Sequence, residues 1–112
     1  MSTNLIIGKD VNGAIDDAIP VSQNIYAITL TASTAASIIV PANVDVAYFS
    51  YGGSGDVWVN MSGAATIPGS LFVQTKSELN PVARYVIPGE TISFICSAIN
   101  PVEVAFYNSR NI

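Results

Sequence analysis

Apolar and polar positions along this chain alternate in short runs. No window keeps the i, i+3, i+4, i+7 apolar recurrence of an amphipathic helix over three turns. β-branched and aromatic stretches are separated by Gly, Pro, Asn and Ser clusters at close to the ~8–12-residue spacing of sandwiches and barrels. The pattern predicts strands at 25–31, 36–40, 44–51, 56–61, 71–75, 83–87, 91–97 and 101–107. Pro-Gly at 68–69 and 88–89 suits the central pair of a type II turn, where Pro presets φ and Gly accepts a positive one. Gly52-Gly53-Ser54-Gly55 reads as a flexible hairpin connection between two strong strands. The expected fold is all-β: a single antiparallel β-sandwich or jelly-roll-like domain over 21–112, preceded by an extended N-terminal arm or long loop over 1–20.

Successive strand side chains point to opposite faces, so one parity of each run should form the core. That assigns Val102, Val104 and Phe106, then Ile92, Phe94 and Cys96, then Val57, Val59 and Met61, and Tyr26, Ile28 and Leu30 to the inside. The other parity should be charged and solvated, yet it holds Ala27, Ala47, Phe49, Tyr51, Trp58, Ile95, Ala105 and Tyr107. Its charges are Asp45, Asp56 and Glu103. Two uses of that second face compete. Loops or the arm fold over it, or it packs on other subunits, as contiguous apolar patches commonly do.

Composition favours the second use. Half of the 112 residues are apolar and 11% are charged, less than half the ~25% of an ordinary soluble domain. Four Lys/Arg against eight Asp/Glu leave a net charge of -4, which argues against nucleic acid as a partner. The most apolar stretch, Ile38 to Tyr51, is broken by Pro41, Asn43 and Asp45, so no membrane span is expected. The start lacks a basic n-region and reads as no signal peptide. Histidine is absent, which removes Ser-His-Asp and Cys-His catalysis and His-ligated zinc.

The remaining candidate chemistry is thin. Asp10, Asn12, Asp16 and Asp17 form an oxygen-rich cluster, but Ala14 stands at the fifth position of the calcium loop that the spacing would need. A solvated turn is expected there, with no metal and no cofactor. Gly52 to Gly55 lacks the Lys-Ser/Thr ending and following helix of a phosphate cradle. Asn60-Met61-Ser62 has the form of a glycosylation sequon. Cys96 falls on core parity with no histidine to activate it, so it reads as a small buried hydrophobe. A carboxylate pair is the minimum for glycoside hydrolysis, but the acids here lie mostly in turns. Tyr48, Tyr51, Trp58, Tyr85 and Tyr107 could stack on sugar, though ordinary core and interface packing is the default for them. Arg84 is expected to pair with Glu78 or Glu90.

The run Val40-Pro41-Ala42-Asn43-Val44-Asp45-Val46-Ala47-Tyr48-Phe49 leads through the Gly-rich turn to Asp56-Val57-Trp58-Val59-Asn60. Ser77 to Arg84, Thr91 to Ile95 and Val104 to Tyr107 follow. Over about residues 20–110 the chain resembles the small all-β virion proteins of tailed bacteriophages, in particular capsid decoration (cement) proteins. The resemblance implies a non-enzymatic structural protein on the capsid exterior, made in the host cytoplasm. It would be a homo-oligomer, trimeric by preference, that clamps the major capsid protein or another virion protein. Interface candidates are Leu5, Ile6 and Ile7 in the arm, with Phe49, Tyr51, Trp58, Ile95 and Tyr107 on the second face. The alternative is a module of a tail or head fibre that binds carbohydrate or another virion protein.

Overall fold

The computed structural model describes residues 3–4 and 20–109. All its regular elements are strands: β1 (Thr3–Asn4), β2 (Asn24–Leu30), β3 (Ala36–Ile39), β4 (Val46–Tyr51), β5 (Val57–Asn60), β6 (Ser77–Leu79), β7 (Ala83–Tyr85), β8 (Thr91–Cys96) and β9 (Asn100–Asn108). One sheet has the order β2-β9-β4-β7, antiparallel throughout, with the short β1 lying parallel to the end of β9 on the β2 side. The other has the antiparallel order β3-β8-β5-β6. A single core is shared by both inner faces: Leu30, Ala47, Phe49, Val102, Val104 and Phe106 from the first, Val57, Val59, Ile92, Phe94 and Cys96 from the second. This is a two-layer, sandwich-like arrangement, and every second residue from Ile92 to Cys96 in β8 and from Val102 to Phe106 in β9 is buried, as one packed face requires.

Four expectations change. The first concerns β4, where Ala47, Phe49 and Tyr51 belong to the inner layer rather than the outer one. Opposed antiparallel residues share a face, and the register sets Ala47 against Phe106, Phe49 against Val104 and Tyr51 against Val102. The run Val46-Ala47-Tyr48-Phe49 is apolar at both parities, so alternation alone could not choose the side. The second concerns 71–75, which form no strand. The third strand of that region is β6, at Ser77–Leu79. Asn60, Ser77 and Ser93 make a buried polar row on the outer face of the second sheet. Ser93 Oγ accepts from Ala65 N (3.0 Å), Ser77 Oγ accepts from Thr66 N (3.0 Å), and Asn60 Nδ2 donates to Ala64 O (3.0 Å). With its backbone captured there, the chain after Thr66 runs across the sheet instead of joining it.

The third is the Gly-rich segment. It crosses from β4 in one sheet to β5 in the other and so is no hairpin. Its anchor is Asn100, which has no exposed surface: Asn100 Oδ1 accepts from Gly53 N (3.0 Å) and Nδ2 donates to Gly55 O (2.8 Å). A Cβ on Gly53 would stand 2.8 Å from Asn100 Cγ, so this close approach needs glycine. The fourth is the pair of Pro-Gly turns. Pro88-Gly89 behaves as expected, with Gly89 at φ 88° and Glu90 N donating to Ile87 O (3.1 Å). Gly69 does not take the positive φ that a type II turn requires.

Tyr26 and Ile28 do face inward by register, opposite Val104 and Val102, yet each is about half exposed, at 46% and 47%. Met61 lies just beyond β5 and is partly buried against the core. The β2 edge therefore leaves part of the inner layer open.

Candidate interaction surfaces

The expected contact residues separate into four environments. Phe49 is 5% exposed and meets Phe94 edge to face across the sandwich, with ring centroids 6.0 Å apart, so it is a core residue with no surface to offer. Tyr51 is packed against the same core, and its hydroxyl donates to Pro81 O (2.5 Å). Tyr107 does lie on the outer face, but it is 4% exposed, donates to Pro20 O (2.6 Å) and packs edge to face with Tyr48 at 5.5 Å. The segment entering β2 thus covers it. Trp58 and Ile95 are register partners on the outer face of the second sheet, both half-buried. Leu5, Ile6 and Ile7 lie outside the described residues, as does the cluster of Asp10, Asn12, Asp16 and Asp17.

Burial holds the Tyr51 hydroxyl well above the ordinary tyrosine range; nearby Arg84 pulls the other way and Glu78 adds to the rise. Tyr107 is raised for the same leading reason. A raised folded-state value means that both forms of the chain bind the proton equally below about pH 10, while above it the unfolded chain loses it first. Stability is therefore expected to be flat up to about pH 10 and to fall as pH rises beyond it. Thermal melts from neutral to alkaline pH check this, and Tyr51→Phe should make the alkaline decline shallower.

The aromatic residues do not make one platform. Tyr48 and Tyr85 sit on the outer face of the first sheet, where they flank a shallow depression of about 190 Å³ with Arg84. Trp58 belongs to the other sheet, at the head of a depression of about 320 Å³ formed with residues 68–75. Arg84 Nε donates to Glu78 at 2.9 Å, the first of the two partners expected for it. Cys96 has no exposed surface. Among the carboxylates, Asp45 accepts from the backbone and hydroxyl of Ser109 (2.8 and 2.7 Å) and Asp56 accepts from Asn80 Nδ2 (3.1 Å). Both serve chain connections. Among the described residues, no three of His, Cys, Asp and Glu come together as a metal site would need, and no helix is long and apolar enough to cross a membrane.

Two surfaces escaped the reading of the sequence. One is the loop after β5, where Leu71 is 80% exposed, Phe72 is fully exposed, and Val73 and Ile67 are partly so. Three consecutive apolar residues between Gly69-Ser70 and Gln74-Thr75-Lys76 look the same in sequence whether they form a strand or a protrusion. The other is an apolar groove of about 240 Å³ between the β2 and β3 edges, lined by Tyr26, Ile28, Ala36, Ile38, Phe94 and Val102 among others. Nothing in single residues signals it, because it arises where the two sheets part.

No family model matches the chain, and no curated protein and no solved structure matches it either.

Proposed function

We propose that this chain is a structural protein of a tailed-bacteriophage virion, a capsid decoration (cement) protein that self-associates and binds neighbouring capsid subunits from outside. The observation that carries this reading is the uncharged, apolar surface presented by Ile67, Leu71, Phe72 and Val73 on one side and by β2 on another. Contact with other protein is one of the uses that exposed apolar area of this kind serves, and the one this reading takes. At about 25 cal/mol per Å², a modest patch repeated over many copies stiffens a shell. The strand orders support a jelly-roll reading of the sandwich. β2-β9-β4-β7 against β3-β8-β5-β6 is what two interleaved Greek keys produce, an architecture used in viral capsid and lectin domains.

Mass spectrometry of purified virions of the phage that carries the gene tests the reading. The chain is expected among the structural proteins, in fixed ratio to the major capsid protein, and released heads lacking it should break at lower temperature. Its absence from the virion would overturn the proposal. The second reading, a fibre-associated carbohydrate-binding module, is favoured by the Tyr48–Tyr85 depression beside Arg84. It requires binding on a glycan array that Tyr85→Ala removes.

A further inference from the structure

The loop between β5 and β6 divides the strands into two sets, β1 to β5 before it and β6 to β9 after it. The two sets interleave. In the order β2-β9-β4-β7, and again in β3-β8-β5-β6, strands of the first set alternate with strands of the second. Every pairing among the described residues, that of β1 with β9 included, therefore joins one set to the other. The core is shared in the same way, with its residues from Leu30 to Val59 before the loop and those from Val86 to Phe106 after it. Neither half can build a sheet alone, because each would leave its strands without hydrogen-bonding neighbours.

The loop itself is fastened at both ends and free between them. Ala65 N and Thr66 N donate to Ser93 Oγ and Ser77 Oγ, and Ser77 N donates to Thr75 Oγ1. Among the described residues, no hydrogen bond ties residues 67–74 to the rest of the fold. Leu71 is 80% exposed there and Phe72 fully so. Tyr26, Leu79 and Tyr85 are exposed as well, but each lies in a ladder. A protease draws several residues of extended backbone into its cleft, so residues held in a ladder resist it until the fold opens.

We infer that the Leu71-Phe72 loop is a processing site, cut in the folded chain by an endoprotease that selects an apolar or aromatic residue, and that the cut chain remains one folded body. Water adds across the peptide bond after Leu71 or Phe72. Its oxygen bonds to the carbonyl carbon, the C–N bond breaks, and the leaving nitrogen takes the proton. The carboxylate and ammonium so formed stand on a loop already in solvent, so neither is buried. No ladder crosses the cut within one half, so none is lost. Only the covalent link between the halves goes, and unfolding becomes separation of two fragments. Cleavage of this kind is independent of the proposed function, and absence of the chain from virions leaves it standing.

Brief digestion of the folded full chain with chymotrypsin, whose hydrophobic pocket takes such residues, tests it, with fragment masses read by mass spectrometry. Among residues 20–109 the first cut is expected after Leu71 or Phe72. Once the protease is inhibited, the nicked protein should elute as one species in native buffer, with the circular dichroism of the intact chain. In urea it should part into the two fragments. Leu71→Ser combined with Phe72→Ser should slow the first cut by on the order of tenfold or more and leave the thermal midpoint unchanged. A first cut elsewhere among residues 20–109 overturns the inference, as does a loop that resists at every protein concentration. A double variant cut at the wild-type rate overturns the assignment of the site. Fragments that separate in native buffer, or lose the strand signal, overturn the claim that the cut chain stays folded.

Discussion

Phe106→Ala is expected to lower the stability of the chain by about 3–5 kcal/mol, the range for deleting a buried aromatic ring from a core that only partly collapses. Phe106 has no exposed surface, sits on the central strand β9 opposite Asn24 and Ala47, and meets the Tyr26 ring edge to face at 5.8 Å. A domain of this size has roughly 5–15 kcal/mol in all, so the variant should lose a fifth or more of it. Urea denaturation checks the value, with a lower midpoint and an unchanged slope. Phe72→Ala is the matched control: in the monomeric chain the same chemistry at an exposed position should change stability by less than about 0.5 kcal/mol. Equal effects at the two positions would contradict the assignment of inside and outside.

Asn100→Asp should have the next largest effect, about 3 kcal/mol at neutral pH. The substitution keeps the shape and leaves no cavity. It replaces the Nδ2 donor to Gly55 O with an oxygen, at a position with no exposed surface. The new carboxylate must either face a carbonyl as an anion or take up a proton. Burial raises its folded-state pKa above the unfolded value near 4, so the penalty is full at neutral pH and shrinks as pH falls toward about 4. Urea titrations at pH 7 and pH 4.5 should show the gap to wild type narrowing. A gap independent of pH would mean that the side chain escapes to solvent and that the 52–55 crossing does not depend on it.

These two residues differ in how far they can be read without coordinates. The inward set Ile92, Phe94, Cys96 and Val102, Val104, Phe106 is apolar at every second position, against Thr91, Ser93 and Glu103 on the other parity, so both strands declare their buried side locally. The Arg84–Glu78 pair was legible for a related reason: the partners are six residues apart across one turn. Asn100 was not legible. Its partners are Gly53 and Gly55, 47 and 45 positions away, and a single asparagine before a proline gives no sign of burial. Nor was Phe49, because Val46-Ala47-Tyr48-Phe49 offers apolar side chains to either face and the pairing with β9 makes the choice. The apolar triplet Leu71-Phe72-Val73 has the sequence pattern of a strand and forms none. The deciding factor, capture of the preceding backbone by Asn60, Ser77 and Ser93, comes from three separate strands.

The residues alone thus establish that the chain is made of strands, which side of β8 and β9 is buried, where Pro88-Gly89 turns, and that charge is too sparse for a fully solvated outer surface. Strand order lies beyond them. That β2 and β3 are edges among the described residues, that a groove opens between them, that Tyr107 is covered and Phe72 is bare, all follow from pairings between residues tens of positions apart. Alternation is a property of one strand's own pleat and is written at a spacing of two. Which strand lies beside which is settled by long-range hydrogen-bond registers and by the shared core, and no local spacing encodes either.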